Sequence, residues 1–139
     1  MRLNEEQQLL RDTMRAFARD ELAPHAAQWD REHAFPREAL QALGRLGALA
    51  VVVPAQWDGA GMDYLSLAVA IEEIAAGDGA TSTIVSVQNS VVCGPIAAFG
   101  SDAQKERYLR PLARGDRFGC FCLTEPQAGS DAADRKSVV

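Results

Sequence analysis

Leu3, Leu10 and Phe17 recur every seven residues, with Met14 between the last two, so the first segment carries one apolar stripe on an otherwise charged helix. Asn4 is a good N-cap, and Gln7 stands three residues on, the spacing of a capping box. Pro24 is placed to open a second helix anchored by Trp29. Pro36 opens a third, with Leu40, Leu43 and Leu46 on one face. Asp63 caps a fourth, in which Leu67, Ile71 and Ile74 fall at i, i+4 and i+7. Ser101 and Gln104 repeat the capping-box spacing ahead of Tyr108, Leu109 and Leu112, and Pro111 and Gly115 mark the end of that helix.

Four stretches read differently. Leu49 to Val53 is short and apolar, a strand or a buried extended connection. The Gly- and Pro-bearing residues 54–63 form a loop, and a lone Gly-Ala-Gly without a preceding strand is a turn rather than a phosphate cradle. Residues 81–92 are rich in β-branched side chains, so propensity favours a strand. The run on to Phe99 is long for a strand, and burial can override helix propensity, so a buried helix is the alternative. Phe118 to Leu123 is apolar and bounded by turn residues, which predicts a buried strand. The picture is an all-α N-terminal domain of about six helices over residues 1–117, then the first strand of a β-domain at 118–133. A strand needs a partner for its backbone N–H and C=O groups, so that second domain has only begun.

Composition narrows the class. Of 139 residues, 47% are hydrophobic and 24% charged, the balance of a globular chain. A net charge of −5 argues against nucleic-acid partners, which need clustered Lys and Arg. The polar start is no secretory signal, and no uninterrupted apolar run approaches the roughly 18 residues of a membrane span. Three cysteines without paired spacing suggest free, buried, inert thiols in a reducing compartment. His25 and His33 are far from them in sequence, so no metal site is expected. Glu72 and Glu73 are adjacent on a helix and point about 100° apart, which suits structural ion pairing better than acid–base work.

The chemistry-bearing stretch is Leu123-Thr-Glu-Pro-Gln-Ala-Gly-Ser-Asp131. Pro126 ends any ladder, Gly129 permits close approach of a ligand, and Ser130 offers a hydroxyl and an amide, a set suited to a phosphate or pyrophosphate. Asp131 is suited to an Asx-turn.

Phe121-Cys-Leu-Thr-Glu-Pro-Gln-Ala-Gly-Ser-Asp131 resembles the signature of the acyl-CoA dehydrogenases. Asp63-Tyr-Leu, Ala70-Ile-Glu-Glu-Ile74, Asn89-Ser90, Gly100-Ser-Asp and Lys105-Glu-Arg-Tyr-Leu109 extend the resemblance over residues 3–133. It implies that residues 81–99 are a helix lining an acyl pocket, with Thr83, Val87 and Val91 as its floor. Phe121, Leu123 and Thr124 would then lie beside the flavin ring of FAD. Gly129 and Ser130 would lie near the FAD pyrophosphate and the CoA moiety, with Ser130 touching substrate as well. Gln127 stands where related sequences often have Gly, so the loop is expected to run slightly differently here. The implied reaction is α,β-desaturation of an acyl-CoA thioester, with an electron-transfer flavoprotein as acceptor. A homotetramer or homodimer is implied for the full-length protein, in a bacterial cytoplasm or a mitochondrial matrix. The family's catalytic glutamate has no counterpart here, so no catalytic residue is assigned and the chain alone is expected to be inactive. An acyl-CoA oxidase or flavin monooxygenase on the same scaffold, or a non-catalytic helical interaction module, are the alternatives. Residues 134–139 match a translated sequencing adapter rather than the family's continuation, and are expected to be non-native.

Overall fold

A computed structural model describes residues 2–126 and 128–131. Helix α1 spans Glu5–Phe17. Its capping box is formed: the Asn4 side-chain oxygen accepts from the Gln7 amide at 2.8 Å, and Gln7 Oε1 accepts from the Asn4 amide at 3.1 Å. The helix does not stop before Pro24. It passes through a π-helical turn, Ala18–Leu22, into α2, Ala23–Glu32, where His33 ends it in the left-handed conformation. Helix α3 spans Arg37–Arg45, and short 3₁₀ turns follow at Ala48–Ala50 and Ala55–Trp57. Helix α4, Tyr64–Gly77, is capped by Asp63 as expected.

Residues 81–99 are helical, against their strand propensity. Helix α5, Gly79–Val87, continues through a π segment, Gln88–Cys93, into α6, Gly94–Phe99. Asp78 starts the run by accepting from the Ala80 and Thr81 amides and the Thr81 hydroxyl. The whole run, Gly79–Phe99, is 21 residues with mean hydropathy 1.3, long and apolar enough to cross a membrane by length and composition alone. The expectation that no apolar run approaches a membrane span in length thus meets one helix that reaches it, by length and composition only. Its polar residues Thr81, Ser82, Gln88 and Asn89 are buried against the rest of the chain, so one side of it packs into the bundle, while only 33% of its apolar window is buried. After Gly100 come α7, Asp102–Gln104, a π segment, Lys105–Leu109, and α8, Arg110–Arg114. Among the described residues there are thus eight α-helical segments, where about six helices are expected, because π turns divide the longer ones.

No strand occurs among the described residues. The expected strand at 118–123 is irregular, and residues 120–124 are exposed. A strand is a property of a pair, and among the described residues no extended segment is paired with this one. Leu49 to Val53 is buried as expected but forms a 3₁₀ turn and a bend. Its Ala50 and Val51 carbonyls accept from the Ala60 and Met62 amides of the following loop.

The apolar faces meet in two clusters. Met14, Ala18, Leu22, Leu40, Leu43, Leu49, Ala70, Ile74 and Val85 form the larger. Ala50, Val53, Val92, Cys93, Leu109, Leu112 and Ala113 form the second. Leu46, expected on the buried face of α3, is instead 44% exposed, because α3 ends at Arg45 and the chain turns at Gly47 with φ 79°. Glu73 makes the structural pairing expected of it, taking both Arg15 Nε at 2.8 Å and Arg15 Nη2 at 2.6 Å, while Glu72 is exposed.

Cys93 is fully buried, and burial pushes its thiol up to about 12. In the unfolded chain a thiol ionises near ~8.5. Between these values the unfolded chain holds fewer protons than the folded one. Stability due to Cys93 is therefore complete below the lower value and falls by about 1.4 kcal/mol per pH unit above it. Urea unfolding of wild type and Cys93→Ala at a series of alkaline pH values should show that slope in their difference.

Candidate functional site

Of the residues expected on the pocket floor, Thr83 lies on α5 and is exposed, its hydroxyl donating to the Gly79 carbonyl at 3.0 Å. Val87 and Val91 are half-buried, and Val87 packs at the margin of the second cluster. Their neighbours Thr81, Val85, Gln88, Asn89, Val92 and Cys93 turn inward. The helix therefore shows short side chains on its outer side and hydrogen-bonding side chains on its inner one.

The inner polar pair is what residue order did not disclose. Asn89 is fully buried and bonds three backbone groups: it accepts from the Val51 amide at 2.7 Å and donates to the Ala48 and Val85 carbonyls at 2.8 and 2.9 Å. Gln88 is 1% exposed. Its Nε2 donates to the carbonyls of Leu112 and Arg117 at 3.0 and 3.4 Å, and its Oε1 accepts from the Gly119 amide at 3.0 Å. Gln88 thus holds the chain where it leaves α8. Residue order signals the pair only as two consecutive amides inside an apolar run and, for Asn89, as part of the Asn89-Ser90 match; neither discloses the bonds they make.

The departing chain crosses the helix at Gly119, where a Cβ would stand 2.3 Å from Val92 Cγ1, so only glycine allows this approach. One residue earlier, Phe118 packs edge-to-face on Phe35 with centroids 5.5 Å apart, and the Arg37 guanidinium lies 5.6 Å from the Phe118 ring. The structure therefore brings the 119 position, next to Val92, against the helix that carries Thr83, Val87 and Val91. Phe121 and Leu123 stand clear of the bundle, 50% and 42% exposed. Thr124 and Ser130 are exposed too, on either side of a tight turn in which the Glu125 and Ala128 backbones bond each other at 3.0 and 3.2 Å. Gln127, where a departure of the loop is expected, lies outside the described residues, as does the expected tail 134–139.

A phosphate-bearing group needs donors and room. A Cβ built on Gly129 would meet only Thr124 Cγ2, at 3.7 Å, an ordinary contact. Among the described residues nothing else beyond its chain neighbours comes within 4 Å of that position, and Thr124 and Ser130 are exposed hydroxyl-bearing residues nearby, so the residue types present are compatible with one wall of such a site.

The thiols divide. Cys93 is buried as expected, whereas Cys120 and Cys122 are exposed, because the strand expected to bury them is not formed. Their sulfurs are 3.8 Å apart, and the Cys120 thiol is pushed up by its hydrogen bond with Cys122 and by that neighbour's charge. Among the described residues no group of three or more His, Cys, Asp or Glu side chains converges on a metal position.

A family model described as the acyl-CoA dehydrogenase N-terminal domain matches residues 4–116. The chain belongs to the acyl-CoA dehydrogenase family. It is 50% identical over 130 residues to the mitochondrial short-chain specific acyl-CoA dehydrogenase of Rattus norvegicus, a match covering 94% of this chain and 32% of that one. Among solved structures, butyryl-CoA dehydrogenase from Megasphaera elsdenii superposes with a TM-score of 0.89 at 33% identity, covering 98% of this chain and 36% of the other. A chain from a structure described as the electron transferring flavoprotein of Acidaminococcus fermentans superposes at 0.92 with 36% identity, over 98% and 36% of the two chains. The chain spans about a third of the length of these acyl-CoA dehydrogenase relatives. The resemblance carried by residues 3–133 is borne out, and the fold is the mostly helical N-terminal domain of the family.

Proposed function

We propose that this chain is the N-terminal helical domain, with the first residues of the middle domain, of an FAD-dependent enzyme that desaturates an acyl-CoA thioester between its α and β carbons. The observation that carries the reading is the motif Thr124–Ser130, in which Thr124, Gly129 and Ser130 are exposed and a Cβ at Gly129 would meet no backbone atom among the described residues, on a scaffold matched to dehydrogenases along 94% of its length. The domain division at residue 117 accords with the end of α8 and the irregular path beyond it. When bound, FAD supplies the two-electron acceptor for the reaction.

This chain's residues bind and orient. Phe121 and Leu123 offer apolar surface and backbone amides to the ring, and the Thr124 hydroxyl offers a donor to its polar edge. Gly129 leaves room for the pyrophosphate, and Ser130 donates to it and to the CoA moiety. Thr83, Val87 and Val91 present short side chains to the acyl group, so that chain fits without polar contact. No base is assigned to this chain, since nothing in it matches the family's catalytic glutamate and Glu125 belongs to the binding motif. An electron-transfer flavoprotein is the proposed acceptor, in keeping with the neighbour from a structure of that description. In the whole protein we place two or four copies together, in a bacterial cytoplasm or a mitochondrial matrix.

The test is made on the complete reading frame that carries these residues. The purified protein should hold stoichiometric flavin, bleach on addition of an acyl-CoA, and pass electrons to a flavoprotein acceptor. Gly129→Val should weaken FAD retention tenfold or more, about 1.4 kcal/mol, by filling the space left for the phosphates. The 139-residue chain should show no turnover. Full-length protein without flavin, or flavin that acyl-CoA does not bleach, would overturn the reading.

A further inference from the structure

Gln88 opens the π segment Gln88–Cys93, between Val87 and Val91, two of the residues proposed to meet the acyl group. Its own side chain turns inward and is 1% exposed. Both amide hydrogens and the carbonyl oxygen are committed to backbone. Nε2 donates to the Leu112 and Arg117 carbonyls at 3.0 and 3.4 Å, and Oε1 accepts from the Gly119 amide at 3.0 Å. A side chain that bonded α8 alone would serve packing only. This one also bonds the chain beyond α8, on the way to Phe121, Leu123 and Thr124. From these three bonds and the tight crossing at Gly119 we propose that Gln88 is a positioning residue for the desaturation. It sets the spacing between the helix that meets the acyl group and the segment that meets the flavin. The inference rests on the enzymatic reading above.

The segment is held from both sides at one point. Gly119 cannot move closer to the helix, since even a Cβ there would stand 2.3 Å from Val92 Cγ1. Gln88 keeps it from moving away, through the Gly119 amide and the Arg117 carbonyl that flank Phe118. Phe121 follows Gly119 by two residues and Thr124 by five, at most about 7 Å and about 18 Å of extended chain. So short a tether has few torsions in which to absorb a shift, and a displacement at residue 119 is passed on to the residues beside the ring.

Gln88 touches none of the reacting atoms, so its influence is on distance. Transfer between a bound substrate and a cofactor needs reacting atoms roughly 3–3.5 Å apart, and a misplacement of about 1 Å can cost about a hundredfold in rate. An error in spacing acts on the transfer step, whereas binding of the acyl-CoA, made by other groups, is largely kept.

The test uses the full-length, flavin-loaded enzyme. Gln88→Met keeps the length and volume of the side chain and removes all three bonds. Bleaching of the flavin by an acyl-CoA is followed by stopped flow, per bound flavin, over a range of acyl-CoA concentrations. The maximal rate should fall by roughly 10- to 100-fold, with the half-saturating concentration changed by less than about threefold. Gly119→Ala forces the same crossing apart with Gln88 intact and should slow bleaching in the same way. Adding Val92→Ala should restore most of the rate, because the nearest Val92 atom to the added methyl is then its Cβ, at 3.2 Å. Gln88→Met bleaching at the wild-type rate, or a loss confined to flavin content or to half-saturation, would overturn the proposal. So would a double variant no faster than Gly119→Ala, and that pair decides the matter alone if Gln88→Met does not fold. A wild type that acyl-CoA does not bleach defeats the enzymatic reading and this inference with it, whereas a bleached wild type with unaffected variants defeats this inference only.

Discussion

Asn89→Ala is expected to lower the stability of the chain by about 4 kcal/mol, because each buried backbone group left without its partner costs roughly 1–3 kcal/mol. The Val51 amide and the Ala48 carbonyl lose their partner outright, whereas the Val85 carbonyl faces the next turn of its own helix. A loss of that size is a large share of the 5–15 kcal/mol typical of folded domains. With a urea slope of about 2 kcal/mol per molar, the midpoint should fall by about 2 M. Asn89→Leu separates two causes. It fills much of the volume but restores no hydrogen bond, so it should be nearly as destabilised as alanine. A leucine variant close to wild type would show that packing, not polar satisfaction, sets the cost.

The second large effect is expected at Gly44, in α3. A Cβ there would lie 2.4 Å from the Arg114 carbonyl oxygen and 3.0 Å from Gly115 Cα, both backbone atoms that no rotamer change can move aside. Gly44→Ala should cost about 3 kcal/mol, the upper end for overpacked interiors, although alanine favours a helix by about 1 kcal/mol on propensity alone. The sign decides the matter: a stabilised alanine variant in urea unfolding would mean that α3 and α8 separate more readily than their contact suggests. Gly44→Val should be worse than alanine, since its γ-carbons extend the same clash.

What the residue order disclosed was local chemistry. The capping boxes Asn4–Gln7 and Ser101–Gln104, and the Asp63 cap, join residues three apart, so spacing alone reveals them. The stripe through Met14 likewise survives because helical periodicity is a short-range property. The fold of residues 81–99 was hidden by its β-branched side chains, whose preference for strands is outweighed by burial of Val85, Val92 and Cys93. The bonds of Gln88 and Asn89 were illegible for a different reason: apart from Val85, their partners lie 24 to 41 positions away. The strand at 118–123 failed on the same ground, since apolar alternation suits a strand but only a neighbour makes one. In the candidate loop, the residue types were legible as a motif, whereas the exposure of Thr124, Gly129 and Ser130 depends on the chain path past Gln88 and Gly119.

That path has a bearing on biosynthesis. Domains acquire structure in the order in which they leave the ribosome, N-terminal first. The buried residues of both apolar clusters all lie within residues 14–113, and Phe118 only packs onto the larger one from outside. Gln88 then grips the nascent chain on either side of Phe118, at the Arg117 carbonyl and the Gly119 amide. The bundle thereby serves as a jig: it aims each newly emerging residue past Val92 before later segments exist to receive it.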